Sequence, residues 1–213
     1  MIKRIVFDFD GTLAFTVPLC MKCFHDAWEP HVGRKMTDEE IFATFGYPEE
    51  GMIQFLMPPP WDAAMADLYK MYEEFHPVLC PALFDGVKEL LDGLKAKLPL
   101  DLLTGKGAKC CEISLRHFGL ENYFDIIIPG DPEKRHKVEG LRSIMERSGC
   151  SAEELLYIGD AISDVTACKE AGVKCLSVGW TPDAKLDELH QLNPELVFMT
   201  VKEMRDYIRG ELN

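Results

Sequence analysis

The chain lacks any apolar run near the roughly 20 residues that a membrane-spanning helix needs. Its start holds no signal-peptide core either. Met1-Ile2-Lys3-Arg4 leads into Ile5-Val6-Phe7 and at once into Asp8, short of the about 7–15 apolar residues such a core requires. These absences lead to the expectation of a cytoplasmic protein. Basic residues are scarce as well, 23 against 36 acidic ones, for a formal charge of −13. A field of that sign repels phosphate backbones and anionic lipid, so neither nucleic acid nor a membrane is an expected partner. It also repels any phosphorylated small molecule, and a protein that handles one must build a local positive site, for instance around a cation.

A second CxxC is missing too. The eight cysteines include Cys20-Met21-Lys22-Cys23, whose spacing suits a metal, but a structural zinc site draws on four ligands. Reduced, packed thiols are the expectation, with a redox or metal role for Cys20 and Cys23 as the alternative. No histidine among the six is spaced to pair with another ligand, and only His136 is placed to approach a site. Finally, no strand pattern occurs from about Phe15 to Ala82.

Outside that gap the chain alternates. Short β-rich runs fall at Ile2–Phe7, Leu98–Leu103, Ile126–Ile128, Leu155–Ile158, Lys174–Val178 and Leu196–Phe198. Helical periodicity covers Val87–Lys97, Lys109–Phe118, Val138–Ser148, Val165–Ala171 and Met204–Leu212. Near-continuous apolar strands alternating with helices predict an α/β, Rossmann-like parallel sheet with helices on both faces. Within the gap, helices are expected over Pro18–Trp28, from the Thr37-Asp38-Glu39-Glu40 capping box through Thr44, over Met52–Met57 and over Asp62–Phe75. The chain thus divides into an α/β core, residues 1–14 and 83–213, and an all-helical insert, residues 15–82.

Ligands of open parallel sheets bind outside the carboxyl ends of the strands, so the residues just after each apolar run carry the chemistry. Ile5-Val6-Phe7 ends in Asp8-Phe9-Asp10-Gly11-Thr12. Leu102-Leu103 ends in Thr104-Gly105-Lys106-Gly107, and Leu156-Tyr157-Ile158 ends in Gly159-Asp160 with Asp164 four residues on. Residues two apart on extended chain share a face, so Asp8 and Asp10 lie together. Two close carboxylates need a shared proton or a cation, and Asp160 adds a third. Hard oxygen ligands of this kind suit Mg²⁺.

Asp8-Phe9-Asp10-Gly11-Thr12-Leu13 resembles the first motif of the haloacid dehalogenase superfamily in its phosphatase form. Thr104 is similar to the second motif, Lys137 to the third, and Gly159-Asp160 with Asp164 to the fourth. The insert directly after the first motif resembles the smaller cap class. Phe84-Asp85-Gly86-Val87 and Tyr123-Phe124-Asp125 are similar to phosphoglycolate-phosphatase-like members. The resemblance implies a Mg²⁺-dependent phosphatase acting on a small phosphorylated metabolite, a phosphoglycolate-like monoester, through an aspartyl-phosphate.

In that scheme Asp8 is the nucleophile and Asp10 the acid and base. Thr104, Gly105 and Lys137 hold the phosphoryl group, Mg²⁺ sits between Asp8, the Asp10 carbonyl and Asp160, and Asp164 supports Lys137 or metal-bound water. Lys134 competes with Lys137 for the third motif, because Val138 follows where members often have proline. Phe15-Thr16 stands where relatives commonly carry Asp-Ser, at the hinge into the cap. The alternatives are a sugar phosphomutase of the β-phosphoglucomutase type, which differs only in its cap, a receiver-like signalling module and a non-catalytic binding protein. Asp10 argues against a dehalogenase.

Overall fold

A computed structural model describes residues 1–212. The first strand, β1 (Arg4–Phe7), leads into four helices: α1 (Val17–Val32), α2 (Asp38–Phe42), α3 (Glu49–Leu56) and α4 (Asp62–Leu79). The alternating part comes next, with α5 (Val87–Lys95), β2 (Leu100–Leu103), α6 (Ala108–His117), β3 (Ile126–Ile128) and α7 (Lys137–Ser148). It closes with β4 (Leu155–Gly159), α8 (Ile162–Ala171), β5 (Lys174–Val178), α9 (Leu186–Leu192), β6 (Val197–Phe198) and α10 (Val201–Glu211).

All six strands form one parallel sheet in the order β3-β2-β1-β4-β5-β6. Side chains alternate across it, as the two-residue period of a strand requires. Ile5 and Phe7 join Leu102, Ile158 and Leu176 in a core covered by α5, α6 and α10. Val6 joins Leu103, Tyr157 and Cys175 in a second core under α7, α8 and α9. Both faces of the central strands are buried, so these read as near-continuous apolar runs in the sequence. One charge interrupts them: Asp101 in β2 is fully buried and takes two bonds of 2.7 Å from the Arg4 guanidinium. That bidentate geometry is what allows a carboxylate inside the sheet.

The four helices after β1 pack around their own apolar cluster. Leu19, Phe24, Trp28, Ile41, Ile53, Leu68 and Tyr72 are buried there, with Cys110 and Ile113 of α6 completing it. The Thr37 capping box forms as the residues predict: the Thr37 side chain accepts the Glu40 N–H at 3.3 Å and the Glu40 carboxylate accepts the Thr37 N–H at 2.9 Å. Such a cap contributes about 1 kcal/mol, which matters for a helix of five residues. Helix α9 has no counterpart in the sequence reading, because only Leu189 on it is buried and one apolar anchor makes no periodicity. No described helix is long and apolar enough to cross a membrane.

The order of strands reverses direction at β1, with β2 and β3 to one side and β4 to β6 to the other. At such a switch point the connections diverge and leave a crevice at the carboxyl ends. The register pairs Phe7 with Ile158, which sets the residues following β1 and β4 side by side.

Candidate active site

Asp8 is the first residue beyond β1, tied to the neighbouring strand by its N–H to the Ile158 carbonyl at 2.9 Å. Asp160 comes directly after β4, and Asp164 lies in the first turn of α8. Oxygens of Asp8, Asp160 and Asp164 lie within 4.8 Å of one another. This is the one potential metal-binding group of acidic, histidine or cysteine side chains among the described residues. Gly11, at φ +74°, makes room for it: a Cβ there would stand 2.2 Å from an Asp160 oxygen. Gly159 does the same for Asp164, whose carboxylate would meet a Cβ at 2.3 Å.

The charges are unequal in their partners. Lys137, the first residue of α7, donates to Asp8 at 2.6 Å and also to Asp164. Asp164 further accepts from the Tyr157 hydroxyl at 3.0 Å and the Ala161 N–H at 2.9 Å. Those three donors hold it beside Lys137. Among the described residues, Asp160 accepts a hydrogen bond only from the Thr12 hydroxyl, at 3.1 Å. Burial and the neighbouring Asp8 and Asp164 charges push its carboxyl well above the ordinary range. Burial likewise lifts Asp8 to about 6, with Lys137 opposing and Asp164 adding to the rise. Burial works against the charge of Lys137, yet Asp164 and Asp8 outweigh it and hold the ammonium above its usual value. Three carboxylates and one ammonium thus leave a net negative, oxygen-rich cradle, which fits a hard divalent cation such as Mg²⁺.

Lys134 is elsewhere. It is exposed and lies 3.9 Å from Glu139, so Lys137 is the lysine that reaches the carboxylates. Thr104 is fully buried where β2 ends, and its hydroxyl accepts the Lys106 N–H at 3.2 Å. Gly105 and Lys106 form the wall in front of it. They face a cavity of about 680 Å³ that also takes in Asp8, Asp10, Lys137 and Asp160.

The far wall of this cavity comes from the helical segment and is mostly apolar, with Val17, Phe24, Phe45, Tyr47 and Met52. Arg34 and Lys35 are not in that wall. Arg34 pairs with Glu40 at 2.8 Å and Lys35 with Glu29 at 2.5 Å, both on the exterior. His136 is buried beside the cavity, the one histidine whose sequence position pointed there.

Sequence and architecture agree with those of known proteins. The sequence pattern of the haloacid dehalogenase-like hydrolases matches residues 5–178. The chain belongs to that family. It is 27% identical to a pyrophosphatase, PpaX, of Halalkalibacterium halodurans over 97% of both chains. It is 30% identical to a phosphoglycolate phosphatase of Thiobacillus denitrificans, with 88% of each covered. A haloacid dehalogenase-like hydrolase from Streptococcus pneumoniae superposes with a TM-score of 0.76 at 22% identity, over 97% of this chain and 98% of that one.

Asp10 and its neighbours hold what the sequence did not disclose. Its Oδ1 accepts the Thr16 hydroxyl at 2.5 Å and the Lys106 ammonium at 2.9 Å. Thr16 drew notice in the sequence only as a departure at the hinge, and Lys106 only as part of a Thr-Gly-Lys-Gly turn. The single signal for Lys106 was its place three residues past an apolar strand. The eight cysteines are free thiols, and burial lifts both Cys20 and Cys23 to about 12, so they remain protonated.

Proposed function

We propose that this family member is a Mg²⁺-dependent phosphatase of small phosphorylated metabolites, working through an aspartyl-phosphate on Asp8. The observation that carries the reading is the convergence of Asp8, Lys137, Asp160 and Asp164 at the switch point of the sheet. Residues 15–82 act as a cap over a core of residues 1–14 and 83–213. Asp8 and Asp160, with the Asp10 carbonyl, would hold Mg²⁺, which supplies positive charge between the nucleophile and the phosphoryl oxygens.

An Asp8 oxygen attacks phosphorus, the bond from phosphorus to the leaving oxygen breaks, and Asp10 gives that oxygen its proton. Asp10 then takes a proton from the water that attacks the acyl phosphate, which returns Asp8 as a carboxylate and releases inorganic phosphate. Lys137 and the Gly105 N–H hold phosphoryl oxygens, and the Thr104 hydroxyl, buried behind that wall, accepts from the Lys106 N–H and fixes the loop that presents Gly105. Asp164 and Tyr157 keep the Lys137 ammonium in line with Asp8. The apolar wall of the cap excludes water while the acyl phosphate forms.

Names carried by relatives, pyrophosphatase and phosphoglycolate phosphatase, support phosphate-ester or anhydride hydrolysis and put phosphoglycolate first in a substrate panel. Eight unpaired thiols support a cytoplasmic setting.

A panel of phosphorylated metabolites, assayed with Mg²⁺ and with chelator, tests the proposal. Asp8→Asn should lower turnover at least about 10³-fold with the fold intact. Full activity of that variant overturns the mechanism. Release of free phosphate identifies a hydrolase, and an isomerised sugar phosphate in its place identifies the mutase.

A further inference from the structure

The Lys106 side chain is 1% exposed, and a buried ammonium has three protons to place. One goes to Asp10 Oδ1 at 2.9 Å and one to the Tyr72 hydroxyl at 2.9 Å. The third faces Glu49 Oε1 and Cys20 Sγ, each at 3.8 Å. Lysine can only donate, so Tyr72 must accept from it and pass its own proton on. Tyr72 therefore donates to Ser114 Oγ at 3.1 Å. Ser114 donates to His76 Nε2 at 2.9 Å, and His76 Nδ1–H donates to the Cys80 carbonyl at 3.1 Å. Every hydrogen in this buried chain has one direction. It runs from the β2–α6 loop through α4, back to α6, and to the end of α4. Glu49 closes the other side by accepting the Gly107 N–H at 2.6 Å.

We infer that Lys106 is the positioning residue for Asp10, the group that fixes how the acid meets the leaving oxygen. This rests on the reading of Asp10 as general acid. Lys106 and Thr16 both donate to Oδ1, so the proton of the neutral acid sits on Oδ2, which has no protein partner among the described residues. When Asp8 displaces the leaving oxygen from phosphorus, that oxygen takes the Oδ2 proton and Asp10 is left as a carboxylate facing Lys106. The lysine is engaged by Asp10 and Tyr72 and held by the cap. It acts through the acid and is not a free cation for the substrate. Tyr72 and Glu49 both belong to the helical segment, so the acid is in register only while that segment sits on the core.

The leaving group provides a readout that a purely structural role does not move. p-Nitrophenolate departs without a proton, whereas the alkoxide of benzyl phosphate needs one, and the two esters have similar size. The kcat/KM values for both, measured with Mg²⁺, report steps through the first irreversible one, which includes departure of the leaving group. Asp10→Asn should lower the benzyl-to-nitrophenyl ratio on the order of 10²-fold. Lys106→Met should lower it about tenfold or more. Because that variant leaves Glu49 and Asp10 buried together, Lys106→Met combined with Glu49→Gln is made alongside it, with Glu49→Gln alone as the reference. The double variant should lower the ratio as Lys106→Met does, and the reference should keep it within about threefold.

An unchanged ratio in the folded double variant, or equal losses on both esters, would overturn the role of Lys106. An unchanged ratio in Asp10→Asn would remove Asp10 as the acid, and the Lys106 assignment would fall with it.

Discussion

At the scale of single residues, the site is governed by how few charges can share one dry pocket. Asp8, Asp160 and Asp164 would repel one another without Lys137, which contacts two of them. Removing one partner of a buried pair costs about 3–5 kcal/mol, because the remaining charge has no solvent to return to. Lys137→Ala should therefore lower thermal or urea stability by a few kcal/mol and turnover by on the order of 10²-fold. Parallel denaturation and steady-state kinetics check both. The raised Asp8 carboxyl also sets a pH dependence. Without metal it holds a proton below about 6, and a cation must displace that proton. Affinity for Mg²⁺ should fall as pH drops through about 6, by up to tenfold per unit for the Asp8 proton, and the raised Asp160 carboxyl should steepen the fall. Titration calorimetry at pH 5.5 and 7.5 in buffers of different ionisation heat would show the proton release.

At the scale of elements, the contact between α4 and α6 holds a buried hydrogen-bonded seam of Tyr72, Ser114 and His76, with Arg116 paired to Glu73 at its exposed edge. His76 is neutral there: burial, with the nearby His117 charge, pushes it down to about 4, and it accepts from Ser114. In the unfolded chain it takes up a proton near 6.5. The unfolded state then binds more protons between these values, so stability is full above about 6.5 and is lost as pH falls toward 4. The contribution is on the order of 2–3 kcal/mol. His76→Gln should flatten the pH dependence of the melting temperature over that interval, measured against the parent protein. The positions of the elements themselves were legible. Ile126–Ile128 and Lys174–Val178 coincide with β3 and β5: three successive isoleucines favour extended chain at the sheet edge, and β5 buries every residue after Lys174. Helix α9 was not legible, since its one buried leucine carries no period.

At the scale of the whole molecule, a chain of charge −13 concentrates three acids at the switch point of its sheet, and a cation bound there would offset their repulsion only in the folded state. Mg²⁺ should therefore raise the melting temperature at pH 7.5. At a concentration 100 times its dissociation constant the gain is about 2.7 kcal/mol. Asp160→Asn should abolish the gain, and differential scanning calorimetry with and without chelator measures it. The same global view explains why the substrate was not readable. The cap wall is composed of Val17, Phe24, Phe45, Tyr47 and Met52, from three separate stretches of chain. Arg34 and Lys35 of the same helical segment are spent on Glu40 and Glu29 outside the cavity.

What the sequence determined by itself is what depends on local pattern: the two-residue period that buries both faces of the sheet, the capping box at Thr37, and the acids that stand one step beyond β1 and β4. Strand ends are short-range facts, readable without knowing which strands are neighbours. Only the tertiary structure decided the partners of Asp10. Lys106 lies far along the chain from both Asp10 and Tyr72, and Tyr72 from Ser114, and their hydrogen bonds exist because α4 packs on α6 and on the loop before it, which brings them within 3 Å or so of each other. Burial then converts that proximity into function, since an ammonium with no water around it must give each proton to a particular neighbour.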